Sequence, residues 1–222
     1  MPPNPLANPI QALLDVPATW SAYGLYAITD GPRPDLVDAA RAALQGGAAM
    51  LQYRDKTNDG DRRLREATAL HALCGEFGIP LIINDDVELA LACGAAGVHL
   101  GEDDADVGSA RRMLGARAIV GVSCYDSLQH ACEAAAAGAD YLAFGAFFPS
   151  ITKPGARHAT TDLLRDAREF GKPLVAIGGI TPDNGGPLVA AGADFIAAIS
   201  GVFGATDIRA AAKQYAKLFT TD

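Results

Sequence analysis

The chain has 222 residues, half of them apolar and a fifth charged, with 18 Lys and Arg against 26 Asp and Glu for a formal charge of −8. That composition excludes wholesale disorder, and the negative balance speaks against binding nucleic acid or an anionic membrane, either of which needs a basic face. Anionic small molecules stay admissible, since a few placed cations or a metal can serve them locally.

No apolar run approaches the roughly 20 residues needed to cross a bilayer. Cys74, Cys93, Cys124 and Cys132 show neither CxxC spacing nor the density of a disulfide scaffold, and read as reduced core thiols of a cytoplasmic protein. Monomer and homo-oligomer are both open. The opening MPPNPLANPIQALLDVP has no positive n-region of a signal peptide. Its prolines suggest a loose, peripheral arm over residues 1–20 with one short helical turn.

From Gly24 onward, short β-branched runs alternate with alanine-rich segments of helical period. The expected strands are GLYAIT (24–29), AAMLQY (48–53), PLIIN (80–84), GVHL (97–100), AIVGVS (118–123), YLAFG (141–145), PLVAIG (173–178) and FIAAIS (195–200). Between them lie helical stretches such as LVDAARAALQGG, DRRLREATALHALCGEFG and SLQHACEAAAAG. Runs with little alternation fit parallel strands covered on both faces. About eight such units without a composition break predict an α/β fold, a single-domain (β/α)8 TIM barrel over residues 21–222 behind a short N-terminal extension. The competitor is a doubly wound open sheet, but Gly24 to Gly31 lacks the GxGxxG expected after its first strand.

Barrel chemistry sits at the C-terminal ends of the strands. Strand two ends in Gln52-Tyr53-Arg54-Asp55-Lys56, strand three in Asn84-Asp85-Asp86, and strand four runs on to Glu102-Asp103-Asp104. Strand five ends at Ser123, strand six runs into FFPSITKPGA (147–156), and strands seven and eight reach Gly179 and Ser200. Asp85 and Asp104 can share a hard cation, because Mg2+ prefers oxygen ligands and is commonly held by one or two carboxylates plus substrate phosphates. Arg54, Lys56 and Lys153 can flank it and neutralise a polyphosphate. Gly179 and Ser200 stand where barrels cradle a phosphate with backbone N–H groups.

Each segment also has a plain reading. NDD after a strand is a common turn or helix N-cap, and EDDAD (102–106) can be a solvated cap before a helix at 107–114. His99 reads as a hydrogen-bonded strand residue, and Tyr53 as pointing into the helix layer. His71, His130 and His158 read as surface residues, and Cys124 has no base beside it. What favours a site is that all these segments fall on one predicted rim.

Together the segments QYRDK, INDDVELAL, GVHLGEDD, VGVSCYDS, FGAFFPSITKP and AIGGITPDN, in this order, resemble the thiamine-phosphate synthase family, from LYAITD (25–30) to ISGVFG (199–204). The resemblance implies a transferase of thiamine biosynthesis. It would join a hydroxymethylpyrimidine diphosphate to a thiazole phosphate with Mg2+ and release pyrophosphate, with no macromolecular partner required. It also implies a pyrimidine-diphosphate site of Gln52, Tyr53, Arg54, Asp55, Lys56, Asn84, Ser123 and Lys153, of which Arg54, Lys56, Ser123 and Lys153 form the catalytic set. Asp85 and Asp104 map to the metal ligands. Ser150, Ile151, Thr152, Gly179, Ile199 and Ser200 map to the thiazole phosphate.

Two positions depart from the family pattern. Ser150 stands where threonine is common and keeps the hydroxyl; Glu102 stands where glutamine is common and adds charge near the metal. The loop 147–158 is the expected lid. A thiazole tautomerase on the same fold would have no use for Arg54, Lys56, Asp85, Asp104 and Lys153 together. A sensor of thiamine phosphate would need a reading element or partner domain that the sequence does not offer.

Overall fold

Eight short strands carry buried side chains on both faces, and the computed structural model closes them into one parallel barrel in the order β1 to β8. It describes residues 23–102, 104, 106–149 and 158–220; the expected arm at 1–20 lies outside them. The strands are β1 Gly24–Ile28, β2 Ala48–Tyr53, β3 Leu81–Asn84, β4 Gly97–Leu100, β5 Ile119–Tyr125, β6 Tyr141–Phe144, β7 Leu174–Ile177 and β8 Phe195–Ala198. Every strand pairs in parallel with the next, and β8 returns to β1. Several expected ends move by one residue, and two move by two: β5 runs on to Tyr125, and β8 stops at Ala198, so Ser200 opens a short helix instead of ending the strand.

The helices are α1 Leu36–Gln45, α2 Gly60–Phe77, α3 Val87–Cys93, α4 Val107–Leu114, α5 Leu128–Ala136, α6 Thr161–Ala167, α7 Gly186–Ala190, α8 Ser200–Phe203 and α9 Ile208–Ala216. Five of them start on a side-chain cap: Asp59, Asp86, Asp106, Ser127 and Asp207 each accept the N–H three residues on, satisfying donors that a helix start leaves open. None of the helices is long and apolar enough to cross a membrane, among the described residues.

Because side chains alternate along a strand, the core divides into two shells. Leu25, Ala27, Leu51, Tyr53, Val98 and Leu100 face outward to the helices, whereas Tyr26, Ile28, Met50, Tyr141, Val175 and Phe195 fill the barrel lumen. Tyr53 therefore belongs to the helix layer. Its hydroxyl donates to Glu66 on α2 at 2.6 Å. Asp55 is buried beside it, accepting from the Thr57 N–H at 2.8 Å and pairing with Arg62 at 2.7 Å. Both side chains anchor the β2–α2 turn.

Burial by itself would raise the Asp55 pKa, but the Thr57 N–H and Arg62 outweigh it and hold the carboxyl below its usual range. A lowered folded pKa means stability that is present above the unfolded value of about 4 and lost as pH falls through the folded one. Asp55→Asn is expected to cost roughly 2 kcal/mol at pH 7. Thermal melts should show its gap from wild type closing as the pH falls below about 4; a gap independent of pH would refute the charge-based account.

Candidate active site

The C-terminal rim collects its polar groups from β2 to β5. After β2 the backbone of Arg54 is held by β1: its N–H donates to the Thr29 hydroxyl at 2.8 Å, and that hydroxyl donates to the Arg54 carbonyl at 3.2 Å. Asp55, beneath, fixes the turn. Arg54 is thus left half-buried on the rim, and no carboxylate pairs with it among the described residues. A guanidinium without a carboxylate partner suits an anion. Lys56 reaches across to Asp85 on the β3 end in an ion pair.

The three residues Asn84-Asp85-Asp86 do three different things. Asp86 is the cap expected of a strand-to-helix turn: it accepts from Leu89 N–H at 2.8 Å and from Arg63 at 2.9 Å. Asp85 is not a cap. It sits at φ 63°, in the left-handed region, a conformation that costs an L-residue roughly 1–2 kcal/mol and that Asp and Asn tolerate best. Its N–H is held by the His99 carbonyl at 2.8 Å. This bend turns the carboxylate back over the rim, where Asn84 donates to it at 2.6 Å.

Asp104, from the loop after β4, accepts from the Gly101 N–H at 2.6 Å and is hydrogen-bonded to Asp85. The cap of α4 is instead Asp106, bonded to the Ser109 N–H at 2.9 Å. Two carboxyl groups in contact cannot both ionise cheaply. Burial raises both; for Asp85, Lys56 and the hydrogen bond from Asp104 prevail and hold the group low, whereas for Asp104 the Asp85 charge adds to burial and raises it. The Asp85 charge thus opposes a second charge on Asp104, a repulsion that a divalent ion between them would relieve. Both donors are hard oxygens, and two suffice for Mg2+ if phosphates and waters complete its shell; no group of three His, Cys, Asp or Glu is present among the described residues.

An open cleft of about 510 Å3 lies over this corner, lined by Lys56, Arg63, Asn84, Asp85 and Glu88 among others. Gln52 sits below the rim in the lumen, donating to the Tyr26 hydroxyl at 2.7 Å. Ser123, at the end of β5, is half-buried and bonded to His99 at 2.9 Å. His99 is indeed a hydrogen-bonded strand residue, facing the lumen.

On the far side of the rim, the glycine pair after β7 makes room for the segment leaving β6. Phe147 and Phe148 donate to the carbonyls of Ile177 and Gly178 at 3.2 and 3.0 Å. Gly179, at φ +64°, has no space for a side chain: a Cβ there would stand 2.5 Å from the Pro149 carbonyl oxygen. The β6 loop is thereby launched across the rim toward β7. Ile199 and Ser200 follow at the start of α8. Ser150, Ile151, Thr152 and Lys153, with most of the expected lid, lie outside the described residues.

Of the expected site residues, Asp55, Lys56, Asn84 and Asp85 line the cleft, Asp104 adjoins Asp85, and Arg54 stands at the end of β2. Gln52 and Ser123 sit at the inner edge of the rim, and Gly179, Ile199 and Ser200 on the opposite arc. Tyr53 points away from it, and Asp55, though it lines the cleft, has its carboxylate bonded to Thr57 and Arg62. The sequence reading missed Tyr26 and Tyr141 altogether. The lumen phase of their strands was a signal for them, though it does not separate a polar tyrosine from a packing one. Burial pushes the Cys74 and Cys124 thiols up to about 12, far from the thiolate a nucleophile needs, while Cys132, expected in the core, is instead exposed on α5.

Residues 25–202 match the protein family described as Thiamine monophosphate synthase. The chain is 53% identical over 203 residues to the Thiamine-phosphate synthase of Nitrosococcus oceani, covering 90% of this chain and 94% of that one. It is 54% identical over 202 residues to the Thiamine-phosphate synthase of Chromobacterium violaceum, covering 88% and 96%. Among solved structures, the thiamine phosphate pyrophosphorylase from Pyrococcus furiosus superposes with a TM-score of 0.80 at 37% identity, over 89% of this chain and 95% of that one. A 3-hexulose-6-phosphate synthase, 18% identical with a TM-score of 0.64, shares the fold alone. With matches of this extent to both the family and its barrel, the chain belongs to the thiamine monophosphate synthase family.

Proposed function

We propose that the rim binds a pyrimidine diphosphate over β2–β5 and a thiazole phosphate over β6–β8. There it would join the two with release of pyrophosphate and Mg2+ held by Asp85 and Asp104. As a family member the chain is a transferase of thiamine biosynthesis. The single observation that carries the finer reading is the contact between the carboxyl groups of Asp85 and Asp104, brought from β3 and the β4 loop beside Lys56.

The residues suit a dissociative transfer. When the C–O bond to the diphosphate breaks, negative charge gathers on the leaving group and positive charge on the pyrimidine methylene. Arg54 and Lys56 face that leaving group, and Lys153 is proposed to join them as the third cation of an electrostatic clamp. Bound Mg2+ would supply Lewis-acid stabilisation of the same charge. Asn84 holds Asp85 in place, Gln52 and Ser123 address the pyrimidine, and Ser150, Ile151, Thr152, Gly179, Ile199 and Ser200 the thiazole phosphate. The thiazole nitrogen then attacks the methylene carbon. No protein nucleophile is required, in keeping with the burial that raises the Cys74 and Cys124 thiols. Holding both partners on one rim supplies the orientation term. Free thiols at all four cysteines suit a reducing compartment, and cytoplasmic residence is part of the proposal.

Incubating the protein with each substrate alone, with both, and with both after chelation tests this reading. Pyrophosphate should appear only when both substrates and Mg2+ are present. Release from the pyrimidine diphosphate alone at the same rate would mean simple hydrolysis and defeat the proposal.

A further inference from the structure

A run of four hydrogen bonds crosses the barrel lumen and joins two residues of the proposed pyrimidine site. Gln52 Nε2 donates to the Tyr26 hydroxyl at 2.7 Å, and Tyr26 meets the Tyr141 hydroxyl at 2.9 Å. Tyr141 meets His99 Nδ1 at 2.9 Å, and His99 Nε2 meets Ser123 Oγ at 2.9 Å. Five strands contribute one side chain each. Gln52, Tyr26 and Tyr141 are at most 2% exposed, so water cannot repair a broken link, and buried polar groups must find partners within the chain. The rings are held by packing too: Tyr26 stands edge-on to Tyr141 at 5.9 Å, and His99 stacks on Tyr141 at 5.6 Å and 13°.

The hydrogens in this run have a direction. A primary amide donates only from nitrogen, so the Tyr26 oxygen accepts from Gln52. The buried Tyr26 hydrogen is then directed to its other bonded neighbour, the Tyr141 oxygen. Continued in the same sense, Tyr141 donates to His99 Nδ1, His99 carries its proton on Nε2, and Nε2–H donates to Ser123 Oγ. Burial raises both phenols well above their ordinary range, so each keeps the hydrogen that the run requires. Ser123's own hydrogen is thereby left to point out of the run, toward the rim.

We infer that Tyr26, Tyr141 and His99 are positioning residues: they form a directional relay that orients Ser123 as a hydrogen-bond donor to an acceptor atom of the pyrimidine substrate. This rests on the reading of Ser123 as a contact to that substrate. None of the three needs to touch the substrate. Their effect is to fix one rotor, so that Ser123 offers a hydrogen instead of competing for one.

The relay has a readout that does not depend on activity. In 15N NMR of the histidine-labelled full chain, with His99 assigned by its loss in His99→Gln, the resting protein should show the Nε2–H tautomer. Tyr141→Phe, which keeps the ring and removes the link, should abolish that preference. An Nδ1–H tautomer in the wild type would overturn the direction assigned.

Kinetics provide the second arm. Tyr141→Phe and His99→Leu should raise KM for the pyrimidine diphosphate roughly tenfold, the scale of one hydrogen bond to a polar or charged acceptor. KM for the thiazole phosphate should stay within about twofold, as expected of an interaction confined to one subsite. His99→Gln, whose amide nitrogen can still reach Ser123, should recover most of the loss. The Ser123→Ala/Tyr141→Phe double variant should be no worse than Ser123→Ala, since both act through one hydroxyl. Equal rises in both KM values, tracking a fall in Tm, would reduce the network to a core-packing element. If Ser123→Ala is impaired while Tyr141→Phe and His99→Leu match wild type, the relay fails alone. If Ser123→Ala also matches wild type, the assignment of Ser123 to the substrate fails and takes the relay's role with it.

Discussion

Asp85→Asn is expected to lower kcat by roughly 10²-fold or more, equivalent to about 2.7 kcal/mol of lost transition-state stabilisation. The substitution is a clean one. Asparagine tolerates the left-handed backbone at φ 63° that residue 85 occupies, so the turn survives and only the charge is removed. That charge is what the site is arranged around, with Asn84 and Lys56 both bonded to it and Asp104 in contact. Steady-state pyrophosphate release over a Mg2+ titration is the measurement, with the Mg2+ requirement expected to move upward. Asp86→Asn is the matched control one residue on. It keeps an N-cap of equal quality for α3 and should retain near-wild-type turnover. Near-normal turnover by Asp85→Asn would remove Asp85 from the metal site, and equal damage from both variants would mean that the turn itself, not the charge, was disturbed.

Gly97→Ala is expected to destabilise the barrel by about 3 kcal/mol or more, or to prevent folding altogether. A Cβ at Gly97 would stand 1.8 Å from the Ile119 carbonyl oxygen and 2.6 Å from its carbon. That obstruction is backbone, belonging to the neighbouring strand paired in register with Gly97, so no rotamer change can relieve it. Overpacking of this kind costs 1–3 kcal/mol even where side chains can yield, and here β4 must part from β5. For a chain of this size 3 kcal/mol corresponds to roughly 10 °C in Tm. Gly60→Ala, at the start of α2 where a methyl meets nothing within 4 Å, should melt at or slightly above the wild-type temperature. A Gly97→Ala protein melting within about 2 °C of wild type would contradict the strand register.

The barrel was legible in the chain because parallel strands buried on both faces must be short, apolar and regularly interrupted, and Leu81–Asn84, Gly97–Leu100 and Phe195–Ala198 are all of that kind. The departures are at strand ends. Ile199-Ser200 reads as a continuation of β8 by composition, yet the backbone turns there into α8, since apolar character does not distinguish a strand from a buried helix start. Tyr53 and Asp55 have the right neighbours for the rim, but alternation along β2 sends Tyr53 outward, and the Asp55 carboxylate is bonded to Thr57 and Arg62.

By itself the sequence determined the number and order of the βα units, the family, and which segments end at the C-terminal rim of the barrel. All of these are written in local pattern and in the spacing of short motifs. Only the tertiary structure decided which of two adjacent aspartates caps a helix and which turns back over the rim, because that depends on a bond from residue 85 to the carbonyl of His99, fourteen positions away in number but one strand away in space. It alone also joined Gln52 to Ser123 through Tyr26, Tyr141 and His99. Hydrogen bonds across a closed barrel link residues whose separation along the chain carries no trace of the contact.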